Sequence, residues 1–384
     1  MTHPLDLPDN GHFVLRVWRP DAHGPALARL EGDTLIDITS AKFPTMQALL
    51  ESDDPVAAAF GAPGDAIGRL SNVAENSVEV PDARRPFLLA PPDLQAIKAS
   101  GVTFASSMIE RMIEEKAKGD PSQAETIRAR CTEIIGDSLT SVTPGSEQAA
   151  RLKEALMAEG VWSQYLEVGI GPDAEVFTKA QPMASVGQGA SVGLHPISTW
   201  NNPEPEVVLA VNSKGRIQGA ALGNDVNLRD VEGRSALLLG KAKDNNASCA
   251  IGPALRLFDD GFGMEDVMQA ELDMTVAGED GYILNGKSSM SEISRTPASI
   301  VAQTCGRHHQ YPDGFFLFLG TLFAPTEDRD TPGEGFTHKT GDVVRIHSPR
   351  LGTLTNTVRL STECPEWTFG TSALMRNLAT RGLL

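Results

Sequence analysis

Between Trp200 and Pro253 the chain gathers the residues best suited to chemistry: Glu204, Glu206, Asp225, Arg229, Lys241, Lys243 and Asp244. Glu204 and Glu206 flank Pro205. Residues two apart in an extended chain share a face, with Cα atoms roughly 6 to 7 Å apart, so both carboxylates converge on one cation. The apolar run Val207 to Val211 continues the strand, Asn212-Ser213-Lys214-Gly215 supplies turn formers, and Arg216 to Leu222 returns, which predicts an antiparallel hairpin. With the turn centred between Ser213 and Lys214, Asp225 falls almost opposite Glu204 and adds a third carboxylate. Three oxygen donors without Cys or His favour a hard ion, Mg²⁺ first, with Mn²⁺ or Ca²⁺ as alternatives. Alone, the two glutamates fit a solvated acidic turn at a strand start, and the charges that follow decide for a site. Arg229 suits a bidentate grip on a carboxylate. Lys241, whose ammonium form a nearby cation disfavours, suits proton transfer near neutral pH.

These residues need a scaffold, and the 384-residue chain is long enough for a large catalytic domain with a smaller unit attached. Alternating apolar and polar residues between positions 11 and 38 predict a small N-terminal β-rich domain over 1–92, which ends in a proline-bearing linker, Val80 to Pro92. Residues 93–384 form the main body. Phe43 to Leu50 reads as helix. Val102 to Lys118 carries Met108, Ile109, Met112 and Ile113 at helical spacing. A second helix is expected after Asp120-Pro121, bearing Ile127, Cys131, Ile134 and Ile135, and a third from Ser146 to Ala158, making a helical insert over about 104–160. Past Gly160 the pattern turns to short β segments ending at Thr357 to Leu360, with a last helix from Ser372 to Thr380.

Several classes drop out. A net charge of −17, from 33 basic and 50 acidic residues, argues against nucleic acid or an anionic membrane as partner. No run approaches the ~18 apolar residues of a membrane span, and the N-terminus lacks a signal-peptide pattern, so a cytoplasmic protein is expected. Cys131, Cys249, Cys305 and Cys364 form no C-x-x-C, which argues against a disulfide framework or structural zinc. Cys305-Gly-Arg-His308 reads as a buried thiol near an exposed histidine, and His308-His309 as surface. Gly187 to Gly193 has the wrong glycine spacing for a dinucleotide loop and no following helix. Neither a phosphate-binding P-loop nor a serine-hydrolase elbow is present.

The order of the remaining pieces resembles the fumarylacetoacetate hydrolase family over roughly residues 100–360. The pieces are Glu204-Pro-Glu206, Asn224-Asp225-Val-Asn-Leu-Arg229-Asp230, Gly240-Lys241-Ala-Lys243-Asp244, a Gly252-Pro253 turn, Gly320-Thr321 and Gly341-Asp342-Val-Val344. The resemblance implies an α+β fold, a rolled mixed β-sheet with the site at its open end and the helical insert near the mouth, assembled as a homodimer or tetramer. It implies Mg²⁺ or Mn²⁺ on Glu204, Glu206 and Asp225, a catalytic Lys241, and Lys179 of Phe177-Thr178-Lys179 facing the site. The family's N-Y-x-x-H-x-x-E is here Thr103-Phe104-Ala-Ser-Ser107-Met-Ile-Glu110, so Ser107 stands where a water-activating histidine is usual. C–C hydrolysis loses its base, and metal-assisted enolisation keeps everything it needs.

With its insert, Ser288 to Arg295 and Cys364 to Gly370, the chain is most similar to the members that dehydrate 2-keto-3-deoxy-pentonates of xylonate or arabinonate type to 2,5-dioxopentanoate. On that reading Lys241 or Lys179 removes the C3 proton and Glu110, with Ser107, protonates the leaving hydroxyl. Arg229, Asp244 and Thr321 contact a small 2-keto acid. Residues 292–295 and 363–370 are either pocket lining or surface loops. Two alternatives stay open: a C–C hydrolase or decarboxylase using the same metal, and a non-catalytic, metal-dependent sugar-acid binding protein.

Overall fold

The computed structural model describes residues 4–118, 120, 123, 124, 126, 127, 142–160, 162–323, 325, 327–332 and 335–384. Its strands are β1 (Phe13–Arg19), β2 (Gly24–Glu31), β3 (Thr34–Asp37), β4 (Asp65–Arg69), β5 (Phe87–Leu89), β6 (Ala96–Ser100), β7 (Val176–Ala180) and β8 (Ser191–Leu194). They continue with β9 (Pro205–Val211), β10 (Ile217–Asp225), β11 (Cys249–Leu257), β12 (Glu271–Ala277), β13 (Ile283–Ser289), β14 (Phe315–Phe318), β15 (Val343–Ser348) and β16 (Gly352–Leu360).

The β9–β10 hairpin forms as its turn residues dictate: Asn212 N donates to Arg216 O at 2.9 Å, and Gly215 sits at φ 74°, a left-handed conformation glycine adopts freely. A bulge between Ile217 and Gly219 then advances the register by one residue, so that Gly223 pairs with Glu206 and Asn224 with Pro205. Asp225 consequently lies opposite Glu204, its N–H donating to Glu204 O at 3.0 Å.

β9 is buried along its whole length because both faces of the sheet are covered. Val207, Leu209 and Val211 enter one core, which also takes Leu272, Met274 and Val276 of β12 and Val344 and Ile346 of β15. Val208 and Ala210 enter a second core with Phe43, Met46 and Leu49. Among the described residues the strands make an 11-stranded sheet, ordered β4-β3-β2-β1-β11-β10-β9-β14-β6-β7 with β5 on β1, and a 5-stranded sheet, ordered β13-β12-β15-β16-β8. β14 runs parallel to β6 and β16 parallel to β8, the other pairings being antiparallel, so both sheets are mixed and the class is α+β.

The N-terminal strands continue the main sheet: β1 pairs with β11 at Phe13↔Arg256 and Val14↔Leu255. Part of the anticipated linker is itself a strand, since Phe87–Leu89 pairs with β1. Gly252-Pro253, anticipated as a turn, lies inside β11 as a cis peptide. The helix Ala105–Lys116 packs with Glu147–Ala158 and Gln164–Ile170 around Met108, Met112, Ile113, Leu156, Leu166 and Trp200. Cys131, Ile134 and Ile135 of the anticipated second helix lie outside the described residues. No helix among the described residues is long and apolar enough to cross a membrane.

A buried ion-pair cluster holds the segment after β14 against the approach to β9. Arg329 grips Asp342 with two hydrogen bonds, Nη1 to Oδ2 at 2.6 Å and Nη2 to Oδ1 at 2.7 Å. His338 Nδ1 lies 3.0 Å from the same carboxylate. Thr337 Oγ1 donates to Thr199 O, and His338 N to Asn201 Oδ1.

Candidate metal centre and active site

Glu204 just before β9, Glu206 within it and Asp225 at the end of β10 are all buried, and each places a carboxylate oxygen within 4.8 Å of the others. The period-2 side-chain alternation and the shifted hairpin register produce this convergence. Gly320 N donates to Glu206 Oε2 at 2.6 Å and Thr321 Oγ1 to Pro205 O at 2.9 Å, so Gly320-Thr321 fixes the strand that carries both glutamates. Gly320 has φ +90°, and a Cβ there would lie 2.0 Å from Thr103 Oγ1, so only glycine fits this approach.

Among the described residues, three cations touch the triad and a fourth, Arg229, stands behind Glu114. Lys243 Nζ is 2.6 Å from Glu204 Oε2 and 3.2 Å from Asp225 Oδ2. Lys179 Nζ is 2.8 Å from Asp225 Oδ1 and donates to Val226 O and Lys243 O. Arg111 hydrogen-bonds Glu204 Oε1 and lies 2.7 Å from Glu114 Oε2 and 3.2 Å from Glu232 Oε2. Arg229 Nε donates to Glu114 Oε1 at 2.7 Å.

Among the described residues, seven carboxylates, those of Glu110, Glu114, Glu175, Glu204, Glu206, Asp225 and Glu232, line the two adjoining recesses here against these four cations. The excess negative charge has consequences. Burial, then Asp225 and Glu204, push Glu206 well above the usual carboxylate range. Burial likewise raises Glu232 despite Arg111. Burial and then Glu232 bring Glu175 up to about 7. Asp225 goes the other way, because Lys179 and Lys243 outweigh its burial. Burial pulls Lys243 down, but Asp225 and Glu204 overcome it and hold the ammonium well above the ordinary lysine value. Each Asp225 oxygen has an ammonium beside it, Lys179 at Oδ1 and Lys243 at Oδ2. Three convergent oxygen donors and an excess of negative charge fit a hard divalent cation.

The structure brings Lys179, Glu110, Ser107, Arg229 and Thr321 to these recesses or their walls, and corrects two other expectations. Lys241 is exposed and meets His195 Nε2 at 3.4 Å; Lys243 is the lysine at the triad. The two share one turn of helix, Leu239–Lys243, in which residues two apart lie about 200° apart, so only one of them points inward. Asp244, the exposed residue after that helix, lines a separate cleft with Asn245, Asn246 and Trp367. Ser107 Oγ donates to Phe104 O at 2.8 Å and accepts from Phe104 N at 3.4 Å, which caps its own helix. The segment 292–295 pins backbone: Arg295 Nη2 donates to Val168 O and Gly171 O. Glu366 and Trp367 line the separate cleft, and His308 and His309 are exposed.

Sequence reasoning missed Arg111, Glu175, Glu232 and the position of Lys243 at the triad. A signal existed for two of them. Glu175, Phe177 and Lys179 alternate as residues of one strand face do, and Arg111 stands three residues before Glu114 on a helix.

Comparison with known proteins places this architecture. The family described as fumarylacetoacetate (FAA) hydrolase C-terminal matches residues 172–359. A Haloferax volcanii protein named "Probable 2-keto-3-deoxyxylonate dehydratase" is 31% identical over 217 residues, which is 56% of this chain and 70% of the relative. A Saccharolobus solfataricus protein, "2-dehydro-3-deoxy-D-arabinonate dehydratase", is 28% identical over 185 residues, 48% of this chain and 58% of the relative. A solved structure described as "2-keto-3-deoxy-D-arabinonate dehydratase complexed with magnesium and 2,5-dioxopentanoate" superposes with a TM-score of 0.62 at 20% identity. That match covers 91% of this chain and 99% of the other, and speaks for the fold. The chain belongs to the fumarylacetoacetate hydrolase family.

Proposed function

We propose that this chain is a divalent-cation-dependent hydro-lyase that removes water from a 2-keto-3-deoxy-pentonate of xylonate or arabinonate type, giving 2,5-dioxopentanoate. The observation that carries this is the buried Glu204–Glu206–Asp225 triad with Lys243 and Glu175 lining the same recess. The dehydratase names of both relatives support the substrate class, and the magnesium and 2,5-dioxopentanoate of the solved neighbour support Mg²⁺, with Mn²⁺ as its substitute.

Glu204, Glu206 and Asp225 would hold the cation, which would supply Lewis-acid polarisation of a 2-keto group and so acidify its C3 protons. Lys243 takes the C3 proton: once the charges of Glu204 and Asp225 are engaged elsewhere, its amine form becomes accessible. Glu175, near 7 and so partly protonated at neutral pH, gives a proton to the C4 hydroxyl, which leaves as water. A proton then moves from C5 to C3, and the C4–C5 enol ketonises at C4 to the aldehyde. Lys179, bound to Asp225 and two backbone carbonyls, positions the triad. Ser107 stands where the family resemblance places a water-activating histidine, which argues against C–C cleavage.

The test is purified protein with Mg²⁺ and 2-keto-3-deoxy-D-xylonate. Formation of 2,5-dioxopentanoate supports the reading; pyruvate plus glycolaldehyde, or no turnover, overturns it. The proposal includes a cytoplasmic homodimer or tetramer, supported by the family resemblance and tested by sedimentation equilibrium.

A further inference from the structure

Arg229, the residue the sequence offers for a substrate carboxylate, is already engaged on every side. Its Nε donates to Glu114 Oε1, its Nη1 donates to Pro325 O at 3.1 Å, and its Nη2 lies 3.6 Å from Glu110 Oε2. Its guanidinium stacks 4.2 Å above the Trp200 ring, and the side chain is 2% exposed. A ligand could reach it only by stripping partners from a buried charge, which is strongly unfavourable.

Arg111 is placed differently. It lines both recesses, is 13% exposed, and stands at the triad itself. Nη1 is shared between Glu114 and Glu232, which anchor it, while Nη2 donates to Glu204 Oε1. Glu204 therefore has a cation on each oxygen, Arg111 on Oε1 and Lys243 on Oε2. A divalent ion on Glu204 competes with both neighbours for its lone pairs and repels both, which weakens these contacts. Arg111 has two other carboxylates to hold it in place while its Nη2 turns away.

We propose that Arg111, rather than Arg229, takes the substrate's carboxylate, its Nη2 exchanging Glu204 Oε1 for a substrate carboxylate oxygen when the cation loads. The exchange trades one charge-assisted N–H···O⁻ bond for another, so no buried guanidinium is left unpaired at either stage. The inference rests on the 2-keto acid reading above and names the group that recognises the acid end of that substrate.

Pyruvate, the smallest 2-keto acid, separates the two claims because its binding needs no turnover. Calorimetric titration of the Mg²⁺-loaded protein should give a pyruvate Kd about 10- to 100-fold weaker in Arg111→Lys and Arg111→Ala than in the native chain. Mg²⁺ should still bind both variants within about tenfold of the native Kd. Added guanidinium ion should restore part of the pyruvate affinity of Arg111→Ala, a rescue that a purely structural role would not show. With 2-keto-3-deoxy-D-xylonate, KM should rise by a similar factor while kcat falls less. Unchanged pyruvate affinity in the metal-loaded variants, or no pyruvate binding by the loaded native protein, overturns the inference. Arg111-dependent pyruvate binding without any turnover of the keto-deoxy acid would leave it standing and overturn the dehydratase reading.

Discussion

At the scale of single residues, two neighbouring lysines make opposite forecasts. Lys243→Met removes the ammonium between Glu204 and Asp225 and should lower kcat by about 10²- to 10⁴-fold, the usual contribution of a proton carrier, whereas the exposed Lys241→Met should change it by less than about threefold. Steady-state rates of the two variants decide this, and the reverse ranking would return the role to Lys241. Glu175 makes a pH forecast. Its carboxyl, raised to about 7 from an ordinary value of 4.5, binds its proton more tightly in the folded chain. The resulting stability is complete below pH 4.5 and is lost as pH rises through about 7. In metal-free protein, Glu175→Gln should gain on the native chain by on the order of 2 kcal/mol between about pH 5 and 8, discounted for the solvent Glu175 still meets. Urea midpoints at the two pH values read the gap; a gap independent of pH would mean that the folded chain already holds Glu175 ionised. The triad was legible because alternation along an extended chain fixes which side an acid faces. The choice between Lys241 and Lys243 was not, because it depends on the phase of a helix five residues long.

Elements transmit these positions, and the cluster beside β15 is the clearest case. Asp342 stands in the Gly-Asp-Val-Val pattern that carries part of the family resemblance, and its contacts are structural. Burial pushes its carboxyl up, Arg329 and His338 outweigh that, and the balance lies at about 2. Asp342→Asn would leave the buried Arg329 guanidinium with Asp280 as its remaining carboxylate and should lower stability by about 1.5 to 3 kcal/mol, measured by chemical denaturation. Because the native pairing lasts until pH falls through about 2, the loss should be present at neutral pH and shrink in acid. At this scale the hairpin, the Ala105–Lys116 helix and the last helix followed from turn formers and apolar spacing. β5 did not, since three residues between prolines carry too little pattern, and a bulge such as the one after Ile217 is set by packing rather than by any local signature.

The whole molecule divides less than its sequence suggests. Chain order separates an N-terminal unit from a catalytic body, but sheet membership is a long-range property that local alternation cannot report, and β1 is paired with β11 while β11 is paired with β10. Asp225, a triad carboxylate, is the last residue of β10, so the anticipated boundary runs through a continuous ladder of backbone hydrogen bonds. That continuity should be visible in amide deuterium uptake. If the N-terminal strands open only with the rest of the sheet, Mg²⁺ at about 100 times its Kd should add roughly 2.7 kcal/mol to that opening and slow exchange in Leu15 of β1 and Ala28 of β2 about 100-fold, although neither strand carries a triad residue. Slowing confined to β9, β10 and the Ala105–Lys116 helix would mean that the ladder parts at β1. Strands made from the first thirty residues would then report on an ion held two hundred positions further along the chain.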